Sequence, residues 1–340
     1  MRYFPPVFLL FFLLKGVLCG IAFANVLETY IFAVGQGNFI LMKIGTEWLV
    51  VDVGSGKSGK NPLRQHREKM EPNGAIRKKL ESIGKEISKC WLLVTHNHWD
   101  HFCLFLQLRA LFQRKPIIFP SSRNRPTIGL RFLAESFHDS FHEQVTIEDP
   151  PRIGNVYVSR LPPHQNAQKA HERNLIVFVK YGTVLFILPG DADGDYINLN
   201  VRAFTDRLNK LSDGCTHCCI ILPHHGSNSN GTLSLSQGAY IKLVEKNCEV
   251  IFVISSNPEE RDRLPKADVL LLPSRPATVE HRYAFFNKGL GRIEKIPTTS
   301  PVFITSEVTD GNGYLITTDG SDLKLFDGIA IDKLQLYPIQ

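Results

Sequence analysis

Short apolar runs that end in a polar or glycine-containing turn recur along this chain. Four of these runs end near aspartate or histidine residues, and they span residues 48–51, 91–94, 186–188 and 220–222. Runs of this length are typical of buried strands that end at the rim of a sheet. Helical stretches alternate with the strands, which predicts a mixed α/β fold. Because no repeat, low-complexity tract or long linker divides the chain, we interpret residues 25–340 as one domain.

The N-terminus follows a different pattern. Apolar residues fill positions 7–14 and continue, after Lys15, through Ala24. The small-x-small sequence of residues 22–24 is typical of a secretory cleavage site, so residues 1–24 are predicted to be a signal peptide. Residues 7–24 are also just long enough to span a bilayer, which keeps an uncleaved membrane anchor open. The sequence thus predicts a protein that is exported (periplasmic or secreted) or anchored to a membrane through its N-terminus.

Composition and charge narrow the class of partner. The chain has 340 residues, 43% of them hydrophobic, which is enough for a substantial core. Its formal net charge is +6, and basic residues concentrate within residues 57–89 and 109–125. Such a surface attracts phosphate groups, so nucleic acid or another phosphodiester is the expected partner, with a solvated helix face as the alternative. No protein partner can be inferred.

The chain has seven cysteines, and loss of Cys19 with the signal peptide would leave six. An even number suits disulfides in an exported protein, although the pairing cannot be read from the sequence. The run of residues 215–219 carries three cysteines and a histidine, as a zinc knuckle does, but no second cysteine pair lies at the needed spacing. We therefore expect buried thiols or a disulfide there rather than zinc.

The most informative stretch is Thr95-His96-Asn97-His98-Trp99-Asp100-His101, directly after an apolar run. Alternate residues of an extended chain project to one side, so His96, His98 and Asp100 begin on the same face. One ion could not take all four metal-capable side chains from so tight a turn. We expect two ions, with His96 and His98 on one and Asp100 and His101 on the other. The alternative is a polar loop that is rich in histidine by chance.

This THxHxDH pattern resembles the central motif of the metallo-β-lactamase superfamily. The resemblance implies a four-layer αββα sandwich with the metal ions at one edge, between two sheets. It also implies roles for residues elsewhere in the chain. Asp52 would support the ligands from behind, Asp191 would bridge the two ions, and His225 would be the last ligand. His224 would face the substrate or lie behind the ligands.

The third-motif histidine has two candidates in this chain. A strict alignment would place Pro162 at the ligand position. His164 can serve only if the loop shifts slightly, and it is our choice, with His171 as a weaker substitute.

A narrower resemblance concerns the hydrolase domain of ComEC-type DNA-uptake competence proteins. It rests on the sequence Val34-Gly35-Gln36-Gly37, on the block from Asn174 to Ala192, and on the final glycine-bounded strand of residues 313–320. Position 38 departs from that group, because Asn38 stands where an aspartate is usual. The long membrane portion of those proteins has no counterpart here, so transport of DNA is not implied.

The combined expectation is a dinuclear hydrolase. Imidazole and carboxylate ligands without thiolate suit two divalent ions, Zn²⁺ first, with Mn²⁺ or Fe as alternatives. His96, His98 and His164 would bind one ion, Asp100, His101 and His225 the other, and Asp191 both. A metal-bound hydroxide would attack the substrate. Asp100 and His224 are the predicted catalytic residues, with His224 donating a hydrogen bond or a proton to the leaving oxygen.

The substrate is less sharply predicted than the chemistry. A phosphodiesterase or nuclease-like enzyme is the first choice, on the resemblance and the basic stretches. Hydrolysis of another ester, an amide or a β-lactam is the alternative within the enzyme class. A non-catalytic metal-containing binding module is the alternative outside it, and the number of bound ions separates the two classes.

Overall fold

The structure is a computed structural model that describes part of the chain. The predicted signal peptide, His164 and most of the two basic stretches lie outside that part. The described residues are 26–56, 74–84, 88–106, 117–119, 141–143, 155–161, 166–169, 171–227, 232–258, 263–272, 280–308, 312–328 and 335–337.

The described elements are mostly strands. In chain order the strands are β1 (Leu27–Phe32), β2 (Phe39–Ile44), β3 (Glu47–Val53), β4 (Lys89–Leu93), β5 (Ile117–Phe119), β6 (Phe141–Glu143), β7 (Tyr157–Leu161), β8 (Ile176–Tyr181), β9 (Val184–Leu188), β10 (His217–Ile221), β11 (Glu249–Ile254), β12 (His281–Asn287), β13 (Arg292–Thr298), β14 (Val302–Ile304), β15 (Gly313–Thr318), β16 (Lys324–Asp327) and β17 (Gln335–Tyr337). The α-helices are α1 (Gly74–Gly84), α2 (Gly194–Leu211) and α3 (Thr232–Glu245). Short 3₁₀ turns lie at Trp99–His101, Cys103–Leu106, Pro223–Gly226, Ala267–Leu271 and Thr305–Glu307.

Two large sheets carry the fold. The first has the order β17-β16-β15-β1-β2-β3-β4-β5-β6, and the second has the order β14-β11-β10-β9-β8-β7. The strands β12 and β13 form a separate hairpin. Within the second sheet, β9, β10, β11 and β14 run parallel, so their carboxyl ends reach the same edge. The apolar runs singled out in the sequence form β3, β4, β9 and β10.

The two sheets pack face to face and are covered on their outer faces. A core of residues from both sheets fills the space between them, including Ile31, Val177 and Phe186. A second core lies between the outer face of the β9–β10 sheet and residues of α2 and α3. A third lies on the outer face of the other sheet and includes Leu80 of α1. The predicted αββα sandwich is therefore confirmed.

Helix α2 shows how local sequence fixes an element next to the site. The side chain of Asp193, directly before the helix, accepts a hydrogen bond from the backbone N–H of Tyr196. Capping of this kind satisfies a donor that the first helical turn leaves open. Within the described residues, no helix combines the length and apolar character that crossing a bilayer requires.

The six cysteines in the described part of the chain are buried thiols, so the disulfide expectation is wrong for them. Their buried-thiol alternative is confirmed. They occupy inward positions in the cores, as Cys218 and Cys219 of β10 do, where a thiol packs like a small apolar side chain. Burial raises the pKa of Cys248 to about 12, so this thiol stays neutral and unreactive.

Gly190, in the turn after β9, shows how closely the two sheets approach at their shared edge. It has a φ of +58°, and a Cβ built there would lie 2.5 Å from Asn174 Oδ1 and 2.6 Å from Thr95 Oγ1. Gly45, in the β2–β3 turn, has a φ of +57° with nothing within 4 Å of the same built atom. The two glycines therefore share a backbone conformation and differ in their surroundings.

We expect Gly45→Ala to lower the free energy of unfolding by about 1 kcal/mol, because the Cβ of alanine makes the left-handed conformation sterically unfavourable. Gly190→Ala should lower it by about 3 kcal/mol, since the methyl group would also clash with the side chains of Thr95 and Asn174. Urea titration of the two variants beside the wild type measures both values. Equal losses would contradict the close approach at Gly190.

Candidate metal centre

The loop after β4 provides the first potential ligands, which are residues that the sequence analysis singles out. His96 and His101 are fully buried, whereas His98 and Asp100 are partly exposed. His98 is extended, and the following 3₁₀ turn reverses the chain at Trp99–His101. That reversal brings Asp100 and His101 back towards His96. One short loop can therefore supply ligand atoms to two neighbouring metal positions.

Two groups of potential ligand atoms form at this edge, and both include Asp191. Within each group the atoms lie within 4.8 Å of one another. One group consists of His96, His98, His171 and Asp191, and the other of Asp100, His101, Asp191 and His225.

The carboxylate of Asp191 divides its two oxygens between the groups. Its Oδ2 lies 3.6 Å from His96 Nε2 and 4.0 Å from His171 Nε2. Its Oδ1 lies 3.2 Å from His101 Nε2 and 3.7 Å from His225 Nε2. A carboxylate placed in this way can bind one ion with each oxygen.

Asn174 fixes the turn that carries Asp191. Its Oδ1 accepts a hydrogen bond of 3.0 Å from the Asp191 backbone N–H, and its Nδ2 donates to Pro189 O. The backbone N–H of Leu175 next to it donates to Thr95 O at 2.7 Å, which ties this turn to the His96 loop of the other sheet.

Asp52 lies directly behind the first loop. Its carboxylate accepts hydrogen bonds from the Thr95 backbone N–H at 2.7 Å and from Thr95 Oγ1 at 2.8 Å. Its Oδ2 is also 2.6 Å from His101 Nδ1. Asp52 thereby orients the His101 ring so that Nε2 faces Asp191, the arrangement in which an outer carboxylate orients a metal-binding imidazole.

Two further histidines have similar outer partners. His225 Nδ1 lies 3.0 Å from Ser255 O, and because a carbonyl only accepts, Nδ1 carries the proton and Nε2 is the available ligand atom. His171 Nδ1 lies 3.4 Å from Asp193 Oδ2, on the side of the ring opposite Asp191. Both rings therefore aim Nε2 at Asp191.

Buried polar atoms without hydrogen bonds show that these residues fit a cation. His96 Nε2, His101 Nε2, His225 Nε2 and Asp191 Oδ1 are all buried, and none has a hydrogen-bond partner among the described residues. An unsatisfied buried polar atom costs about 1–3 kcal/mol. Their convergence at one place is the pattern expected of a metal centre, where the ion satisfies these atoms.

The electrostatics of the site have clear causes. Burial lowers the pKa of His96 well below its usual value, so this ring is neutral, the form that binds metal. Burial alone would also lower the pKa of His101, but Asp191 and Asp52 raise it well above the usual value. Burial alone would raise the pKa of Asp191, yet His101 and His225 hold it well below its usual range. Asp191 is therefore ionised, and it attracts positive charge.

The turn after β10 presents two histidines from a strained backbone. His224 and His225 both adopt left-handed conformations, with φ values of 49° and 55°. Each costs about 1–2 kcal/mol for a residue with a side chain. The backbone N–H of His224 donates to Gly190 O at 3.1 Å, which fixes this turn to the Asp191 turn. Strain of this kind is typical of functional sites.

His224 lies at the open side of the centre rather than among the ligands. Its ring centroid is 4.7 Å from that of His171, and its Nδ1 is buried without a hydrogen-bond partner. Burial lowers the pKa of His224, which leaves the ring neutral.

The structure thus brings together most of the residues predicted from the sequence. Those placed at the centre are His96, His98, Asp100, His101, Asp191 and His225, with Asp52 behind them and His224 beside them. His164 lies outside the described residues. His171, the weaker substitute, belongs to the first ligand group.

Several contributors were missed by the sequence analysis. Thr95, Asp193 and Ser255 each contact a ligand or its support, and Asn174 holds the Asp191 turn. Asp193 had a signal, since it follows Asp191 by two residues and precedes a helix. Ser255 had none, because its contact uses a backbone carbonyl that any residue would supply.

Comparison with known proteins adds to these observations. Residues 33–176 match a family model described as the metallo-beta-lactamase superfamily. A sequence search of curated proteins finds no significant match.

Several solved structures are similar to this chain at low identity. A new diphosphatase from the PhnP family is 12% identical over 81% of this chain and 98% of its own, with a TM-score of 0.44. The metallo-beta-lactamase fold protein YhfI from Bacillus subtilis is 12% identical over 68% of this chain and 98% of its own, with a TM-score of 0.39. DIM-1 metallo-beta-lactamase is 16% identical over 66% of this chain and 94% of its own, with a TM-score of 0.35. Likenesses at this level carry no information on activity or substrate.

The family match begins at the end of β1 and ends at the start of β8, so it takes in the loop from His96 to His101 and also His171. Over residues 33–176 this chain is therefore similar to the metallo-β-lactamase superfamily.

Proposed function

We propose that this chain is a hydrolase that uses two divalent metal ions to cleave phosphodiesters. The observation that carries the proposal is the position of Asp191, whose two oxygens face two separate groups of ligands. A single structural ion would need only one such group. Two adjacent groups that share a carboxylate are typical of two-metal hydrolytic sites.

The ligands divide as their positions indicate. His96, His98 and His171 would hold one ion, and Asp100, His101 and His225 the other, with Asp191 on both. Nitrogen and oxygen donors without thiolate suit Zn²⁺, with Mn²⁺ or Fe as alternatives. When bound, the two ions would supply positive charge against the transition state and a water that ionises near neutral pH.

The substrate would approach from one side only. Deep in the site lie His96, Asp191 and His225, each at most 3% exposed. The side chains of His171 and Asp100 are 22% and 32% exposed. These side chains and His224 form the accessible face, so the scissile bond would lie against them.

His224 is proposed to donate a hydrogen bond to the leaving oxygen. It lies beside His171 on the accessible face, and its Nδ1 has no protein partner among the described residues. Because the His224 ring is neutral, it can donate a hydrogen bond through the ring nitrogen that carries its proton. Nδ1 of His225, by contrast, is already used on Ser255 O.

Phosphorus is preferred to carbon as the reacting centre for two reasons. Two metal ions stabilise both the attacking and the leaving oxygens of an in-line displacement at phosphorus. The sequence of residues 34–37 also resembles ComEC-type hydrolase domains, and the basic stretches suit an anionic polymer such as single-stranded DNA or RNA. Hydrolysis of a carboxylic ester, an amide or a β-lactam is the alternative. It would be favoured if the protein does not cleave phosphodiesters.

The purified protein, supplied with Zn²⁺ or Mn²⁺, should hydrolyse bis(p-nitrophenyl) phosphate. Asp100→Ala should lower kcat by about 100-fold or more. The substitution removes a proposed metal ligand and so weakens binding of the cation that would stabilise the transition state. Asp206→Ala, an exposed residue of α2 whose side chain is 70% accessible, is the matched control and should keep full activity. A folded, metal-loaded wild type without turnover would contradict the phosphodiesterase proposal.

The third-motif histidine can be assigned by counting metal. His171→Ala should reduce the bound metal from two ions per chain to one, since it removes a ligand of the first group. His164→Ala should keep both ions. Elemental analysis of the two dialysed variants gives the answer, and the reverse pattern would restore His164 as the ligand.

A further inference from the structure

A polar cavity of about 230 Å³ lies among the turns that follow β1, β11 and β14. Three segments form its walls: the turn after β1 at Gly35, the segment after β11 at Ser256, and the 3₁₀ turn Thr305–Glu307 after β14. Lys295 of β13 lines the remaining side. None of the proposed metal ligands lines the cavity, so it is a separate feature of the same region.

The cavity and the metal centre occupy one edge of the second sheet. Strands β9, β10, β11 and β14 are adjacent and parallel, so the turns that follow them stand in a row. Asp191 follows β9 and His225 follows β10. Ser256 follows β11 and Thr305 follows β14. Ligands of parallel sheets bind at the carboxyl ends of the strands, and the cavity extends this row beyond the metal ligands.

Hydrogen bonds also connect the cavity wall to the ligands. In the loop that begins at Gly35, the backbone N–H of Asn38 donates to Asp100 O at 3.2 Å. In the same loop, Gly37 O accepts a hydrogen bond from Ser255 Oγ. The carbonyl of Ser255 in turn lies 3.0 Å from His225 Nδ1. The loop that supplies Gly35 to the cavity wall is therefore bonded to Asp100 directly and to His225 through Ser255.

The chemistry of the cavity comes from Ser306 and Glu307. Ser306 Oγ is buried and has no hydrogen-bond partner among the described residues. The side chain of Glu307 is only 8% exposed, and one of its oxygens lies 3.1 Å from Lys295 Nζ. By contrast, Ser256 Oγ already donates to Leu264 O. A hydroxyl without a partner thus stands next to a buried carboxylate.

This pair matches neighbouring hydroxyl groups on a ligand. A carboxylate accepts from one ligand hydroxyl, as acidic residues do with ribose, while a serine hydroxyl donates to or accepts from the next. A second phosphate would fit poorly, because Glu307 would repel it. The cavity is also of a size that admits one ring rather than a polymer.

We propose that this cavity binds the sugar of a sugar–phosphate diester whose phosphorus lies at the metal centre. The inference rests on the proposed phosphodiesterase function. Ribose and a hexose share the recognising chemistry, namely neighbouring hydroxyl groups on one ring.

The test compares p-nitrophenyl diesters that share a leaving group and differ in the second substituent. The substrates are the p-nitrophenyl esters of uridine 5′-phosphate, thymidine 5′-phosphate and glucose 6-phosphate, with bis(p-nitrophenyl) phosphate as the reference without a sugar. The variants are Glu307→Gln and Ser306→Ala. The matched control is Glu294→Gln, the neighbour of Lys295 on β13, whose carboxylate accepts from Asn287 and does not line the cavity.

We expect both cavity variants to lower the ratio of kcat/KM for the preferred sugar diester to that for the reference by about tenfold, the loss of one hydrogen bond to a charged or buried group. Glu294→Gln should leave the ratio unchanged. The diester that loses most identifies the sugar, and the uridine–thymidine pair shows whether the 2′-hydroxyl is read. An unchanged ratio in both cavity variants, or an equal loss on the reference, would overturn the proposal.

A binding measurement keeps the two proposals distinguishable. If the wild type cleaves no phosphodiester, the proposed function fails. Saturation-transfer NMR with uridine and methyl glucoside then tests separately whether the cavity binds a sugar. A wild-type signal that disappears in Glu307→Gln supports a sugar site, and no signal from either sugar overturns it.

Discussion

A buried negative charge where the two sheets meet is the constraint on which the rest of this structure depends. Asp191 is 2% exposed and ionised, and removing a carboxylate from water costs several kcal/mol. His101 and His225 offset part of that cost, but they leave ring nitrogens without hydrogen bonds. A pair of cations would balance the charge of the carboxylate and bind the ring nitrogens. The arrangement is therefore the one expected of a metal centre.

The topology explains how distant residues reach this point. The loop after β4 comes from one sheet, and the turns after β9 and β10 come from the other. Backbone hydrogen bonds close the gap between them, from Leu175 to Thr95 and from His224 to Gly190. Because the two sheets are packed over a large shared core, small shifts at this edge are resisted by the whole sandwich.

Much of this could be predicted from the sequence because the strongest signals are local. The apolar runs gave the four central strands, and the loop from His96 to His101 carries four metal-capable side chains in six residues. The choice between His164 and His171 could not be made in the same way. Both lie between the β7 and β8 segments of the chain, and no motif or periodic pattern there says which side chain is directed towards Asp191.

The outer contacts illustrate a second limit. Asp52 was predicted because its strand ends in a recognisable motif, whereas Asp193 reaches His171 only through the placement of a helix N-terminus. The cavity at Ser306 and Glu307 depends on three segments that are far apart in the chain. Features of this kind depend on the order of strands in a sheet, which local patterns do not determine.

The central claim is that two ions bind at this edge and share Asp191. Crystals of the protein grown with Zn²⁺ or Mn²⁺ would test it directly through an anomalous difference map recorded at the absorption edge of the metal. We expect two separate peaks, one among His96, His98 and His171 and one among Asp100, His101 and His225, with Asp191 between them. A single peak, or peaks elsewhere with these side chains unliganded, would contradict it.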